Sequence, residues 1–333
     1  MNRQPFTSKE IKSKYINNKA KVSKITKRDE KDIKFRYVVT EEDKELLVKG
    51  LLKLRLGLST RLMMKLKEID GVYKNNEIVW MNEKVSVGDE ILVYLPDEES
   101  QFPSEHIDME VCYEDDDILV INKPAGVVVH PTKNHQSGTV ANGLMEYMDR
   151  TDQKFKIRFI NRLDRDTSGL LLIGKNSHAQ DDISRQMQEN LVTKTYIAVV
   201  KGCFDNIEGT IDLPIGKGEE GVIQRIVTKM GYPSVTHYKV LKSLGSNYSL
   251  LELNLETGRT HQIRVHLSHI GHAIVGDSLY GIEEPDLIGR QALHAQYLSF
   301  KHPVKKEIVE VYTKIPEDIE NLINLIDLEG GFS

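Results

Sequence analysis

INRLDRDTSGLLLIGKN, residues 160–176, is the stretch on which the reading of this chain turns. Two arginines and two aspartates fall within five positions, directly against the apolar run Leu170 to Ile173. Such a run, closed by Gly174, reads as a strand buried on both faces. In a strand ending at Asp164, period-two alternation places Arg162 and Asp164 on one face and Leu163 on the other. Asp166-Thr-Ser-Gly169 fits a type I turn, with Asp at the first position and Gly at the fourth, so Asp166 has a structural explanation. Asp164 has none of that kind. A surface ion pair at a strand end accounts for the same letters; the alternative is a carboxylate held for chemistry.

Outward from this stretch the chain is rich in short strands. DILVINKPAGVVVHP (117–131) reads as two strands around a Pro-Ala-Gly turn at 124–126, and FINRL, LLLIG, TYIAVV, VTHYKVL and YSLLELNLE follow. Helices are expected at SHAQDDISRQMQEN (177–190) and at THQIRVHLSHIG (260–271), the second ended by Gly271. The pattern is too irregular for a doubly wound βαβ series, so the fold class is α+β with a mixed, mostly antiparallel sheet. Ahead of it, residues 34–95 form a smaller α+β unit. Ser59 caps a helix, TRLMMKLKE, with Leu62 and Leu66 on one face and Arg61 and Lys65 on another. A hairpin is expected on Asn75-Asn76 in VYKNNEIV, and a strand pair around Gly88-Asp89 in VSVGDEILVYL. The basic helix face suits RNA, and equally a merely solvated surface.

The expected division is a basic tail over 1–33, the small unit over 34–95, an acidic linker over 96–110, a larger domain over 111–317 and a C-terminal tail over 318–333. With 333 residues and 39% hydrophobic content the chain is long enough for two cores. The net charge of -5 hides a segregation: Asp97 to Asp117 holds ten acidic residues and no Lys or Arg, leaving +5 on the rest. No run approaches eighteen apolar residues and the start is polar and basic, so a cytoplasmic protein without a membrane span is expected. Cys112 and Cys203 match neither a zinc spacing nor a disulfide scaffold. No internal repeat and no phosphate-cradling GxxxxGK[ST] motif is present.

A second concentration of chemistry is ETGRTHQIRVHLSHIGHAIVGDSLYG, residues 256–281. Its histidines invite a metal reading, but His261 and His266 point apart on a helix and no carboxylate stands at ligand spacing, so no metal is expected. A helix start with Arg259 and Arg264 nearby suits an anion, and Arg264 can hold a carboxylate ionised; a solvated basic helix end is the alternative. Tyr196 shares a strand face with Lys194 and Ala198, either as a core residue or as a platform for a base.

Taken together, VINKPAGVVVHP, NRLDRDTSGLLLIGKN, KTYIAVVKG, TGRTHQIRVHL with IVGDSLYG, and ALHAQYLSFKHP resemble the RluA/RluD-type family of pseudouridine synthases, in the family's order and over roughly residues 111–314. The smaller unit resembles the S-four-type RNA-binding domain that precedes many members. The resemblance implies isomerisation of uridine to pseudouridine in RNA, without cofactor or metal. It places the catalytic aspartate on Asp164, the active-site tyrosine on Tyr196, the pairing arginine on Arg264 with Val265 walling the base pocket, and an RNA-contacting arginine on Arg162. Asn161 departs from the family's usual His; by alternation it faces away from Asp164, so a neighbouring hydrogen bond is expected to change and the chemistry to survive. Large-subunit (23S) ribosomal RNA is the favoured substrate, with transfer RNA possible, and a monomer is expected. A noncatalytic RNA-binding or ribosome-assembly factor on the same fold is the alternative, and a glycosidase releasing free base a third reading.

Overall fold

The computed structural model of the chain describes residues 29–132, 135–219 and 221–330. The expected basic tail therefore lies, over residues 1–28, outside the described residues. The chain divides into two compact units, Met1–Pro96 and Asp97–Ser333.

The first unit contains β1 (Phe35–Val38), α1 (Val48–Leu54), α2 (Thr60–Glu68), β2 (Val72–Lys74), β3 (Glu77–Ile78) and β4 (Glu90–Val93), with sheet order β1-β4-β2-β3. Ser59 caps α2 as expected: its hydroxyl accepts the Leu62 N–H at 3.1 Å. Leu62 and Leu66 are buried and Arg61 is exposed. Asn75 and Asn76 both take left-handed backbone, φ 52° and 65°, as a two-residue hairpin between paired Lys74 and Glu77 demands. The Val85–Val87 run is not a strand. The Asp89 carboxylate accepts the Ser86 N–H and commits this segment to a turn, so β4 pairs instead with the distant β1, Phe35 opposite Val93. Helix α1, which buries Val48, Leu51 and Leu52, was not anticipated from sequence.

The second unit is built from β5 (Glu110–Glu114), β6 (Ile118–Lys123), α3 (Val140–Thr151), β7 (Arg158–Phe159), β8 (Ser168–Gly174), α4 (Ser177–Gln188), β9 (Thr193–Lys201) and β10 (Glu208–Asp212). There follow β11 (Ile215–Lys217), β12 (Arg225–Val227), β13 (Val235–Leu244), β14 (Tyr248–Leu255), α5 (Gln262–His269), β15 (Leu293–Lys301), β16 (Ile308–Tyr312) and α6 (Glu317–Gly330). The main sheet has order β10-β13-β14-β9-β15-β8-β6-β5, with β16 on β15 and β7 on β8. Pairing within it is antiparallel except between β15 and β8. This is the mixed, mostly antiparallel α+β sheet the sequence calls for.

The apolar run decides the layering. Every residue of β8 is buried. Leu171 and Ile173 join one core with Leu119 and Ile121 of β6, covered by α3, α5 and α6 through Leu144, Leu267 and Leu322. Leu170 and Leu172 join a second core with Ile118 and Val120, covered by α4 through Ala179 and Ile183. Alternating side chains of one strand thus feed two apolar layers. Each such Leu or Ile contributes about 2 kcal/mol by leaving water.

Several expectations are corrected. FINRL is not a strand beyond Phe159, because the chain leaves the sheet there. Only the first of the two runs around the Pro-Ala-Gly turn is a strand: past Gly126, at φ 83°, Val128 makes a single bridge to Thr139. Helix α5 begins at Gln262, preceded by His261 in left-handed backbone. The expected C-terminal tail is α6, which buries Ile319, Leu322 and Ile326 at helical spacing. The acidic segment before β5 lies against this unit. Glu98 pairs with Arg158, the Ser100 hydroxyl accepts the Ile157 N–H and Glu105 accepts the Gly138 N–H.

Candidate active site

Where the chain leaves the sheet, a side chain takes over the pairing. Asn161 accepts the Leu172 N–H through Oδ1 at 2.7 Å and donates from Nδ2 to the Leu170 carbonyl at 3.2 Å. It faces β8, so the departure from the family's His bears on this anchor and not on Asp164. The loop then turns tightly, the Thr167 N–H donating to the Asp164 carbonyl at 3.2 Å. The turn is therefore residues 164–167, two positions earlier than Asp166-Thr-Ser-Gly169, and Ser168 already belongs to β8. Asp166 pairs with Arg165 instead of closing a turn.

Gly169 is needed for a different reason. At φ 112°, a Cβ there would lie 2.2 Å from the Ala295 carbonyl oxygen, where β8 meets β15. Ala295 in turn sits opposite Tyr196 of β9. One row across three strands thus leads from the loop carrying Asp164 to the tyrosine.

Lys123, wholly buried at the end of β6, holds the loop from beneath. Its ammonium donates to the carbonyls of Pro124, Val127 and Arg165 at 2.7, 2.9 and 2.8 Å. Burial pushes its pKa down to about 7, against the charges of Asp166 and Asp164. The residue ties the Pro-Ala-Gly turn to the Arg165 backbone, next to Asp164.

Arg264, on α5, meets two carboxylates. Its Nε and one terminal nitrogen form a fork onto Asp277 at 2.7 and 2.8 Å, and the other reaches Asp164 Oδ2 at 3.1 Å. Asp277 is fully buried and also accepts the N–H groups of Leu279 and Tyr280, both at 3.0 Å. These partners outweigh the burial that would discharge the guanidinium and raise its pKa above the ordinary value. Asp164 itself is partly open to solvent. Its Oδ1 accepts no hydrogen bond among the described residues.

Tyr196 is 7% exposed, and burial together with the charge on Asp164 pushes its hydroxyl above the usual tyrosine range. Val265 is buried beside Arg264 on α5. Of the five residues singled out from sequence, Asp164 and Arg264 are brought into direct contact and Tyr196 into their electrostatic reach. Arg162 is exposed and makes no ion pair among the described residues.

Sequence reasoning missed Lys123, Asp277 and the pair His261–Tyr280, although all lie inside the quoted motifs. His261 Nε2 lies 3.9 Å from Asp164 Oδ1, and Nδ1 lies 2.9 Å from the Tyr280 hydroxyl. His266, by contrast, is occupied at both ring nitrogens by Thr236 and the Leu213 carbonyl. Among the described residues, side chains close enough to share an ion are Asp115, Asp117 and His302, starting at the other end of β6 from Lys123. There Asp115 already accepts from His302 and Lys305.

Comparison with known proteins places the chain in a family. Residues 117–269 match the family model described as RNA pseudouridylate synthase. An RNA pseudouridine synthase of Bacillus subtilis, YjbO, is 39% identical over 80% of this chain and 95% of its own length. The chain belongs to the RNA pseudouridylate synthase family. Ribosomal large subunit pseudouridine synthase D of Haemophilus influenzae is 38% identical over 78% of this chain and 84% of its own. The solved structure of human RNA Pseudouridylate Synthase Domain Containing 1 is 32% identical, with a TM-score of 0.51 over 64% of this chain and 86% of that one. As a pseudouridine synthase, the protein is an isomerase that converts uridine in RNA to pseudouridine. Among the described residues, no helix is long and apolar enough to cross a membrane.

Proposed function

We propose that this pseudouridine synthase modifies a uridine of large-subunit ribosomal RNA, with Asp164 as the carboxylate that acts on the sugar. The observation that supports this best is the division of labour between the two oxygens of Asp164. Arg264 engages Oδ2, which leaves Oδ1 available to the ribose. A uracil inside folded RNA must first be turned out of its stack, at a cost of a few kcal/mol. Stacking on Tyr196 and a charge contact from the exposed Arg162 offset that cost, while Val265 walls the base pocket. Asp164 then acts at the anomeric carbon as a nucleophile, or stabilises a cationic sugar on the way to a glycal. A retaining glycosidase uses two carboxylates. Here the second, Asp277, is wholly committed to Arg264 and backbone N–H groups, which suits a reaction whose leaving base is recaptured.

The choice of RNA rests on relatives from Haemophilus, Neisseria and Nitrosomonas, all named ribosomal large subunit pseudouridine synthase D. In the same reading the first unit binds RNA through the basic side of α2, Arg61 and Lys65, and the enzyme works as a monomer in the cytoplasm. Pseudouridine mapping of cellular RNA with and without the gene tests the assignment. The expected result is loss of one or a few pseudouridines from large-subunit ribosomal RNA. Loss only from transfer RNA would overturn the substrate, and no loss from any RNA would favour a noncatalytic assembly factor.

A further inference from the structure

His261 faces Asp164 within the site, and the reaction scheme above leaves it unused. It stands at φ 58°, a left-handed backbone that non-glycine residues rarely adopt. That conformation aims its imidazole past the start of α5 toward Asp164. The Tyr280 hydroxyl accepts the Arg225 N–H at 2.7 Å and lies 2.9 Å from His261 Nδ1. In the tautomer proposed below, the hydroxyl donates its proton to that nitrogen. The ring N–H is then left on Nε2, 3.9 Å from Asp164 Oδ1. Burial, aided by the charges of Arg264 and Arg225 and opposed by those of Asp164 and Asp277, holds the pKa below the ordinary histidine value.

A gap of 3.9 Å is too long for a direct hydrogen bond and wide enough for both atoms to contact one substrate oxygen. Stereochemistry names that oxygen. A carboxylate approaching the anomeric carbon opposite the base meets the ribose on the face that carries the 2′-hydroxyl. A donor beside the attacking oxygen, on that face, meets the same group.

We propose that His261 Nε2–H holds the ribose 2′-hydroxyl of the target nucleotide beside Asp164, making His261 the residue through which the site distinguishes uridine from 2′-deoxyuridine. This rests on the reading of Asp164 as the group acting on the sugar. The 2′-hydroxyl is what separates RNA from DNA at a single position. With Tyr280 fixing the tautomer, the ring offers it a pre-oriented donor.

The test uses the full chain and a transcript of the ribosomal segment around the mapped uridine, carrying uridine or 2′-deoxyuridine at that position. His261→Asn is the variant of choice, because asparagine tolerates left-handed backbone while its amide is too short to reach. Wild-type enzyme is expected to form pseudouridine faster on the ribose substrate by about tenfold or more, the effect of one well-placed hydrogen bond. His261→Asn is expected to lose about that factor on uridine and nothing on 2′-deoxyuridine, so that the preference disappears. Equal losses on both substrates, or a preference that survives, would overturn the proposal. If the deoxy substrate turns over too slowly to measure, affinity of Asp164→Asn for the two RNAs, with and without His261→Asn, reads the same preference. Retained catalysis by Asp164→Asn would instead strike at the underlying reading of Asp164.

Discussion

Arg264 shows how a buried charge is made useful. Its guanidinium is almost wholly removed from water, and most of its hydrogen bonding goes to Asp277, a carboxylate that takes no part in the chemistry proposed above. The contact with Asp164 is the single remaining arm. Removing one partner of a buried pair leaves the other without compensation, which costs far more than the pair gains. Arg264→Met is therefore expected to destabilise the fold by about 3 kcal/mol, read from urea unfolding, besides abolishing activity. A loss under about 1 kcal/mol would mean that Asp277 is solvated or protonated, against the geometry described. Arg264 and Asp164 were legible because each is polar and has no local structural duty. Asp277 was not, since its partner lies thirteen residues away across α5 and only the fold brings them together. His261 was weighed as a metal ligand, and nothing local to the sequence shows its left-handed backbone or its approach to Asp164.

Among the elements, β8 carries the most consequence, and Gly169 is its constrained point. The residue looks like the end of a turn in sequence, whereas it permits the parallel approach of β15 and so the row that leads to Tyr196. Added methyl here meets backbone, which cannot rotate away. Gly169→Ala is expected to cost about 2–3 kcal/mol and to lower activity with it, measured by thermal or denaturant unfolding beside a turnover assay. Wild-type stability in that variant would show that β8 and β15 can separate without penalty. The strand itself was legible from its apolar run, and so was the cap at Ser59. The end of FINRL was misjudged because its alternation of exposed Arg162, buried Leu163 and half-buried Asp164 persists without ladder bonds. A period of two records burial, and burial does not require a strand.

For the molecule as a whole, composition and strand density were enough for the α+β class, but not for the order of the sheet, which depends on pairings between segments far apart in sequence. Helix α6 carried a readable apolar spacing in Ile319, Leu322 and Ile326. Its acidic start, Glu317, Asp318 and Glu320, made it resemble a solvated tail, whereas acidic residues in a first turn favour a helix. The acidic segment before β5 was equally hard to place, because two of its charges, Glu98 and Glu105, are spent on Arg158 and the Gly138 N–H of the same unit. In the proposed mechanism the arrangement converges on one carboxylate, Asp164, whose second oxygen acts on the sugar. Asp164→Asn keeps the shape and a hydrogen-bonding oxygen for Arg264 while removing the charge, so purified variant and wild-type enzyme, compared on ribosomal RNA, isolate that role. The account predicts that the variant binds the RNA with wild-type affinity and forms no pseudouridine; pseudouridine formed at the wild-type rate would contradict it.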